Sequence, residues 1–282
     1  MEQKQIGLIN KIIPQSFVDG PGNRTAVFLQ GCNLHCLFCH NPQTINICSD
    51  CGLCVSECPA GALSMENGRV LWLESRCEEC LGCEKICPTF STPRVRPLTA
   101  MQLWQEIAPH QAFISGVTLS GGEPLLQPDF VSDFFELVQA AGLNTMVETN
   151  GHIAFDVIEK VLPFVDQFMV DLKVFDNDIH QELTSRQNVA IKATIKLLAE
   201  RKKLYAVRTT VVPGYNDNLE NAALTARFLA DIDPHIALTF LRFRAHGTRG
   251  EALSWASPPE ELLEEMTLAA SEEGLLNVSR SI

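Results

Sequence analysis

Positive charge is scarce in this chain. Its 282 residues carry 22 Lys and Arg against 34 Asp and Glu, a formal net charge of −12. Nucleic acids and anionic membranes are bound by clustered Lys and Arg, so neither is an expected partner. Arg242, Arg244 and Arg249 form only a small local group. No apolar run approaches the roughly 20 residues of a membrane helix. Met1-Glu2-Gln3-Lys4-Gln5 leads into no apolar segment of the secretory kind, so a cytoplasmic location is expected. Low-complexity tracts are missing, and so is any Ser/His/Asp or paired-carboxylate arrangement that would announce acid–base or nucleophilic catalysis.

What the chain does have is cysteine, eleven in all, beside a hydrophobic content of 46% that suffices for one sizeable core with a small appendage. Buried structural cysteines would scatter singly through core segments, and disulfides are not expected in a cytosolic chain. These fall instead into three blocks, which points to metal ligation. In the first, Cys32, Cys36 and Cys39 are spaced C-x-x-x-C-x-x-C. Three thiolates so close can hold three corners of a cubane [4Fe–4S] cluster and leave the fourth iron without a protein ligand. An open iron can bind and reduce something, whereas a closed cluster mainly stores an electron.

The other blocks are Cys48-x-x-Cys51-x-x-Cys54-x-x-x-Cys58-Pro59 and Cys77-x-x-Cys80-x-x-Cys83-x-x-x-Cys87-Pro88. This is the bacterial ferredoxin run, in which the fourth cysteine serves the other cluster. The expected sets are therefore Cys48, Cys51, Cys54 with Cys87, and Cys77, Cys80, Cys83 with Cys58. Paired structural zinc sites are the alternative, but zinc has no use for the third cysteine of each run or for the Cys-Pro that ends it.

Residues 47–92 hold those eight cysteines, short connections and one strand-like segment, Arg69-Val70-Leu71-Trp72-Leu73. Too short for a normal core, this stretch would depend on its metals. It reads as an insert between 1–46 and 93–282. Before it, apolar Ile6–Ile13 and Arg24–Gln30 read as strands around an Asp19-Gly20-Pro21-Gly22-Asn23 turn, the second delivering Gly31 and Cys32 to a loop. After it, Thr99 is a candidate N-cap, and strands expected at 116–120, 144–149, 167–171, 206–212 and 236–241 alternate with helices at 128–141, 154–163, 187–202, 219–231 and 258–273. Such alternation implies parallel βαβ units. About six repeats are too few for a closed eight-fold barrel. The expected fold is α/β, a partial (β/α)6 barrel with a ferredoxin-like two-cluster insert; a flat doubly wound sheet is the alternative. In either, function sits at the C-terminal strand ends.

Those ends carry Ser120-Gly121-Gly122-Glu123-Pro124, Glu148-Thr149-Asn150-Gly151 and Asp171-Leu172-Lys173. Together with the cysteine triplet, Asp19 to Arg24 and Phe28-x-x-Gly31, they make the chain resemble the radical S-adenosylmethionine (SAM) enzymes. More narrowly, it is similar to the glycyl radical enzyme activating enzymes, in the YjjW-type branch with a two-cluster ferredoxin-like insert.

The resemblance implies three [4Fe–4S] clusters, SAM on the open iron, and an oxidoreductase chemistry that cleaves SAM and takes a hydrogen from a glycine of a partner enzyme. The partner would present its C-terminal glycine loop, and flavodoxin or ferredoxin would supply electrons. Phe38, Cys39, His40, Gly121, Gly122, Glu123, Asp171, Leu172 and Lys173 are implied on the SAM side. Glycines let backbone approach the cofactor, and Glu123 can accept from its amine. Relatives place a histidine against the nucleoside, where this chain offers Arg244 or His246. A monovalent cation would fall to Glu148 (an aspartate in the family), Thr149, Met169 and Asp171. Asp19, Arg24 and Arg208 are implied on the substrate side, with Arg208 ahead of the turn Val212 to Asp217.

One rival is a radical SAM enzyme acting on a small molecule, peptide or RNA. Another is a ferredoxin-type electron-transfer module, which leaves the triplet and the Gly-Gly-Glu loop idle. Three cubanes carry about 12 iron atoms and the electron carrier about eight.

Overall fold

The computed structural model describes residues 5–281. The chain opens with β1 (Ile6–Ser16) and β2 (Arg24–Leu29), an antiparallel pair. The cysteine-rich stretch then forms a small hairpin, β3 (Leu63–Glu66) and β4 (Arg69–Trp72), and a short helix, α1 (Gly82–Ile86). The hairpin closes on Asn67-Gly68, both at positive φ, a two-residue turn whose twist suits antiparallel strands. Cys54, Leu63 and Val70 are buried together with Cys58, Trp72 and Cys83 packed around them. Apolar side chains and cysteines thus share one small core.

The main body follows: β5 (Arg96–Thr99), α2 (Ala100–Ile107), β6 (Gly116–Gly121), α3 (Pro128–Ala140), β7 (Asn144–Thr149), α4 (Phe155–Val161) and β8 (Gln167–Asp171). Then come α5 (Asn177–Thr184), α6 (Val189–Glu200), β9 (Leu204–Val211), α7 (Leu219–Ala230), β10 (Ala237–Arg242), α8 (Glu260–Glu272) and β11 (Asn277–Arg280). Thr99 caps α2 as its side chain suggests: Gln102 N–H donates to Thr99 Oγ1 at 3.3 Å, and Thr99 N–H donates back to Gln102 Oε1 at 2.9 Å.

Nine strands form one sheet in the order β11-β10-β9-β8-β7-β6-β2-β1-β5. From β2 through β6 to β11 every neighbouring pair is parallel. Along that run each strand lies beside its predecessor and the order never reverses. A doubly wound sheet would reverse at a switch point, so the winding is that of a barrel left open. The edge strands β5 and β11 and helix α5 go beyond the expected elements.

Strand alternation sorts the two faces. Val147, Phe168, Val170, Val207 and Val211 join the main core with the helices. Between them Met146, Met169 and Ala206 form a separate buried cluster on the other face. Two residues further along each strand, that face carries Glu148, Asp171 and Arg208, which are polar. With period two, the same strands supply both a core and the floor of a site.

Candidate active site

The loop after β2 is pinned from several sides. Gly31 N–H donates to Thr44 O at 2.7 Å and Cys32 N–H to Ile45 O at 2.8 Å. Gln30, 2% exposed, donates its amide to the carbonyls of Gln43 and Asn46. His35 and Leu37 N–H groups donate to the carbonyls of Thr184 and Leu183 at the end of α5. Asn150 Nδ2 reaches Cys32 Sγ at 3.8 Å and Asn33 Oδ1 at 2.8 Å.

Cys32, Cys36 and Cys39 line one cavity of about 290 Å³ and are partly open to it. Six of the seven parallel strands of the open barrel, all but β11, contribute to its walls near their C-terminal ends: Phe28, Ser120 and Gly121, Glu148 and Thr149, Asp171, Arg208 and Thr210, and Leu241. Asp19, Phe38, His40, Gly122, Asn150 and Lys173 complete much of the rest. Burial pushes the Cys32 thiol up to about 12 and raises Cys36 and Cys39 as well. Thiolates at this place need a positive charge beside them, which iron supplies with release of protons. Three thiols around one hollow fit a cluster held by three ligands.

The two glycines are needed for close approach. Gly121 has φ +112°, and a Cβ there would stand 2.4 Å from Leu29 N. A Cβ on Gly122 would stand 2.1 Å from Gly31 O. The Gly-Gly loop and the cysteine loop therefore touch backbone to backbone. Glu123 lies beneath the cavity, fully buried. It accepts from Leu125 N (3.0 Å), Thr149 Oγ1 (2.9 Å) and Asn150 N (2.7 Å). Its work is to tie two strand-end loops together.

Asp171 and Lys173 do meet in the cavity, Nζ to Oδ2 at 2.7 Å. Arg208 Nε donates to Asp171 Oδ1 at 2.8 Å and Nη1 to Glu148 Oε1 at 2.9 Å. Ser120 Oγ donates to Glu148 Oε2 at 2.7 Å. Burial opposes charge on Asp171, yet Arg208 and Lys173 outweigh it and hold that carboxyl below its usual range. Arg208, itself buried, is raised by Asp171 and Glu148.

Every carboxylate oxygen expected to hold a monovalent cation thus has a partner, and the partners include two positive groups. Met169 packs its side chain against Met146 and Ala206. These residues do not fit a cation site.

Other expected residues lie elsewhere. Leu172 is fully buried in the main core. Arg24 is a correction: it is 1% exposed and spends its donors on Thr118 Oγ1 and the carbonyls of Val117, Asn144 and Pro21, so it is a strand fastener with no access to substrate. Arg244 and His246 are exposed and neither lines the cavity. His40 Nε2 donates to Arg244 O at 2.7 Å, and its ring stacks on Phe243 at 5.8 Å. Thr210 and Leu241 are cavity residues that sequence reasoning did not single out, and Ser120 and Asn150 stood in its strand-end motifs without a role. Their position at strand ends was the available signal.

Within residues 47–92, Cys48, Cys51, Cys54, Cys83 and Cys87 line one small hollow. Cys58, Cys77, Cys80 and Cys83 line another. Among the described residues no three or more His, Cys, Asp or Glu converge as a single metal ion requires. Sulfurs that surround a hollow suit a group of several atoms better than one zinc ion. No helix among the described residues is long and apolar enough to cross a membrane.

The family model of the radical SAM superfamily matches residues 26–226. The isethionate sulfite-lyase activating enzyme of Desulfovibrio desulfuricans is 31% identical over 271 residues, covering 88% of this chain and 86% of that protein. The choline trimethylamine-lyase activating enzyme of Oleidesulfovibrio alaskensis is 34% identical over 229 residues, covering 75% and 74%. A domain of the pyruvate-formate lyase-activating enzyme of Bacteroides vulgatus superposes with a TM-score of 0.52 at 26% identity, covering 60% of this chain and 99% of that one. QueE of Escherichia coli shares the fold, with a TM-score of 0.56 at 12% identity over 98% and 94%. The matched pattern runs from β2 to α7, through every strand end of the cavity except that of β10, and the chain belongs to the radical SAM superfamily, where the two curated relatives named above are activating enzymes.

Proposed function

We propose that this protein is the activase of a glycyl radical enzyme, with SAM bound over a [4Fe–4S] cluster at Cys32, Cys36 and Cys39. The observation that carries the reading is the convergence of six strand ends on the cysteine triplet in one cavity. When bound, cluster and SAM supply a reductive cleavage to methionine and a 5′-deoxyadenosyl radical, which takes hydrogen from the Cα of a partner's glycine.

The chain's own residues bind and orient. Gly121 and Gly122 keep the cavity wall free of side chains. Phe38 and Leu241 give it apolar surface. Lys173 and Arg208 face a ligand carboxylate, and Asp171 and Glu148 face its ammonium and hydroxyl groups. Hydrogen-atom abstraction needs no general base, in keeping with carboxylates that are paired already.

The two insert hollows each suit a closed [4Fe–4S] cluster, for three in all, which is the make-up of the YjjW-type branch. Residues 47–92 are the ferredoxin-like insert and 1–46 with 93–282 the partial barrel. Flavodoxin or ferredoxin serves as the reductant. The two curated relatives named above are the activating enzymes of lyases, and the partner here is a glycyl radical enzyme whose C-terminal glycine loop enters above the cofactor.

The test is EPR after anaerobic incubation of reduced protein, SAM and a candidate partner. A glycyl doublet is expected. Its absence with every glycyl radical enzyme encoded nearby, together with turnover of a small metabolite, would overturn the reading.

A further inference from the structure

The loop after β10 touches two parts of the molecule. The Arg244 carbonyl accepts from His40 beside the open triplet. Gly247, at φ +87°, lies so near that a Cβ would stand 2.9 Å from His40 O. Arg249 then turns to the insert. Its Nη1 donates to Cys87 O at 3.2 Å, its Nη2 donates to Glu84 O, and its guanidinium lies 5.3 Å from the centre of the Phe90 ring.

Arg249 and Phe90 also line a cavity of about 290 Å³ together with Cys36 and Cys39 of the triplet. So one guanidinium stands between a cysteine of the insert and two of the open site.

A second tie reinforces the first. Asn46 N–H donates to Phe90 O at 3.2 Å and Asn46 Nδ2 to Thr89 O at 2.7 Å. The adjoining Thr44 and Ile45 carbonyls accept from Gly31 and Cys32. The Cys87 side of the insert is thereby fastened to the loop that carries the triplet. The other set lies differently: Cys77 lines a 620 Å³ cleft with Lys11 of β1 and Arg96 of β5.

We infer that Arg249 is a positioning residue that fixes the set Cys48, Cys51, Cys54 and Cys87 beside the open triplet, so that this set is the immediate electron donor and the set Cys58, Cys77, Cys80 and Cys83 the outer one. The inference rests on the proposed occupancy of all three sets by [4Fe–4S] clusters. One electron passes from a low-potential carrier protein to the outer set, to the inner set and to the open site. Each donor is oxidised by one electron as its acceptor is reduced, and no proton moves.

The experiment uses the full chain, reconstituted anaerobically with iron and sulfide. Wild type, Arg249→Ala and Arg249→Lys are mixed with flavodoxin hydroquinone and SAM, and EPR spectra are taken at a series of quench times. The open site is recognised as the reduced-cluster signal that changes when SAM is added. In Arg249→Ala this signal should form about tenfold or more slower. The insert signals should form at the wild-type rate and persist. Arg249→Lys, which keeps a donor, should recover part of the rate. Prolonged dithionite reduction should give the full SAM-sensitive signal in every variant.

A wild-type rate in Arg249→Ala overturns the inference. Equal slowing of the insert and open-site signals also overturns it, because that marks a general loss of structure. Failure of the underlying occupancy would look different: wild-type protein would hold too little iron for three clusters or give no SAM-sensitive signal.

Discussion

Glu123→Gln should destabilise the protein and weaken SAM binding, although the residue does not line the cavity. Glu123 accepts two backbone N–H groups and the Thr149 hydroxyl while fully buried. Glutamine keeps one acceptor oxygen but turns an amide NH2 toward a donor. A buried donor left unsatisfied costs about 1–3 kcal/mol. With about 2–4 °C per kcal/mol for chains near this size, Tm should fall by about 2–12 °C. SAM binding should weaken because Thr149 and Asn150 line the cavity and Asn150 reaches Cys32.

The pH dependence gives a second arm. Burial pushes the Glu123 carboxyl up to about 7, against its hydrogen bonds. The folded state therefore keeps a proton that the unfolded chain, with an ordinary carboxyl near 4.5, has already lost. Stability from this group is full below the unfolded value and is lost as pH rises through about 7. Glutamine has no such slope, so the gap between wild type and variant should narrow from pH 5 to pH 7.5. Anaerobic thermal unfolding by circular dichroism at both pH values, with SAM affinity by equilibrium dialysis, measures all three effects. Equal Tm values at both pH values with equal SAM affinity would refute the role of Glu123 as a buried tie.

Three further outcomes are expected. Gly122→Ala sets a Cβ against Gly31 O; it should cost about 1–3 kcal/mol by overpacking and abolish SAM binding, read by denaturation and dialysis. Cys36→Ala should remove about four iron atoms and all 5′-deoxyadenosine formation, whereas Cys77→Ala should remove a similar amount of iron and leave the SAM-sensitive EPR signal in dithionite-reduced protein. Arg208→Gln leaves Asp171 with Lys173 alone and Glu148 with only the Ser120 hydroxyl, and should cost about 3–5 kcal/mol near neutral pH. Because the folded Asp171 carboxyl sits below its ordinary 3.8, that difference should be full above about pH 4 and shrink on further acidification, as pH-dependent denaturation will show.

The parts of this structure that local pattern controls were legible. Strands such as Gln167–Asp171 carry their apolar run on their face, and Thr99 marks the start of α2 by the hydrogen bonds a threonine can make there. Edge strands β5 and β11 have four residues each and lack a long pattern to read. Helix α5 has a polar composition and ends at Ser185 in the left-handed region, so its amphipathic face was hard to see. The fates of Arg24 and Glu123 depend on distant partners. Arg24 reaches the Asn144 carbonyl 120 positions away, and Glu123 reaches Asn150 across two strand ends. Charge type says that such residues are costly to bury, but only tertiary pairing says where the cost is met.

Arg208 shows the same limit inside the site. Read by position, it stands on the substrate side; read by partners, it is the centre of a charge set built with Glu148, Asp171 and Lys173. Two acids and two bases make that set neutral overall but strongly polarised. The ammonium and carboxylate of SAM form a neutral pair and can exchange ion pairs within the set. A lone cation would bring a third positive charge to carboxylates already saturated. The wall opposite the cysteines is thus matched to a ligand carrying both signs, while the cysteines await a metal that carries only one.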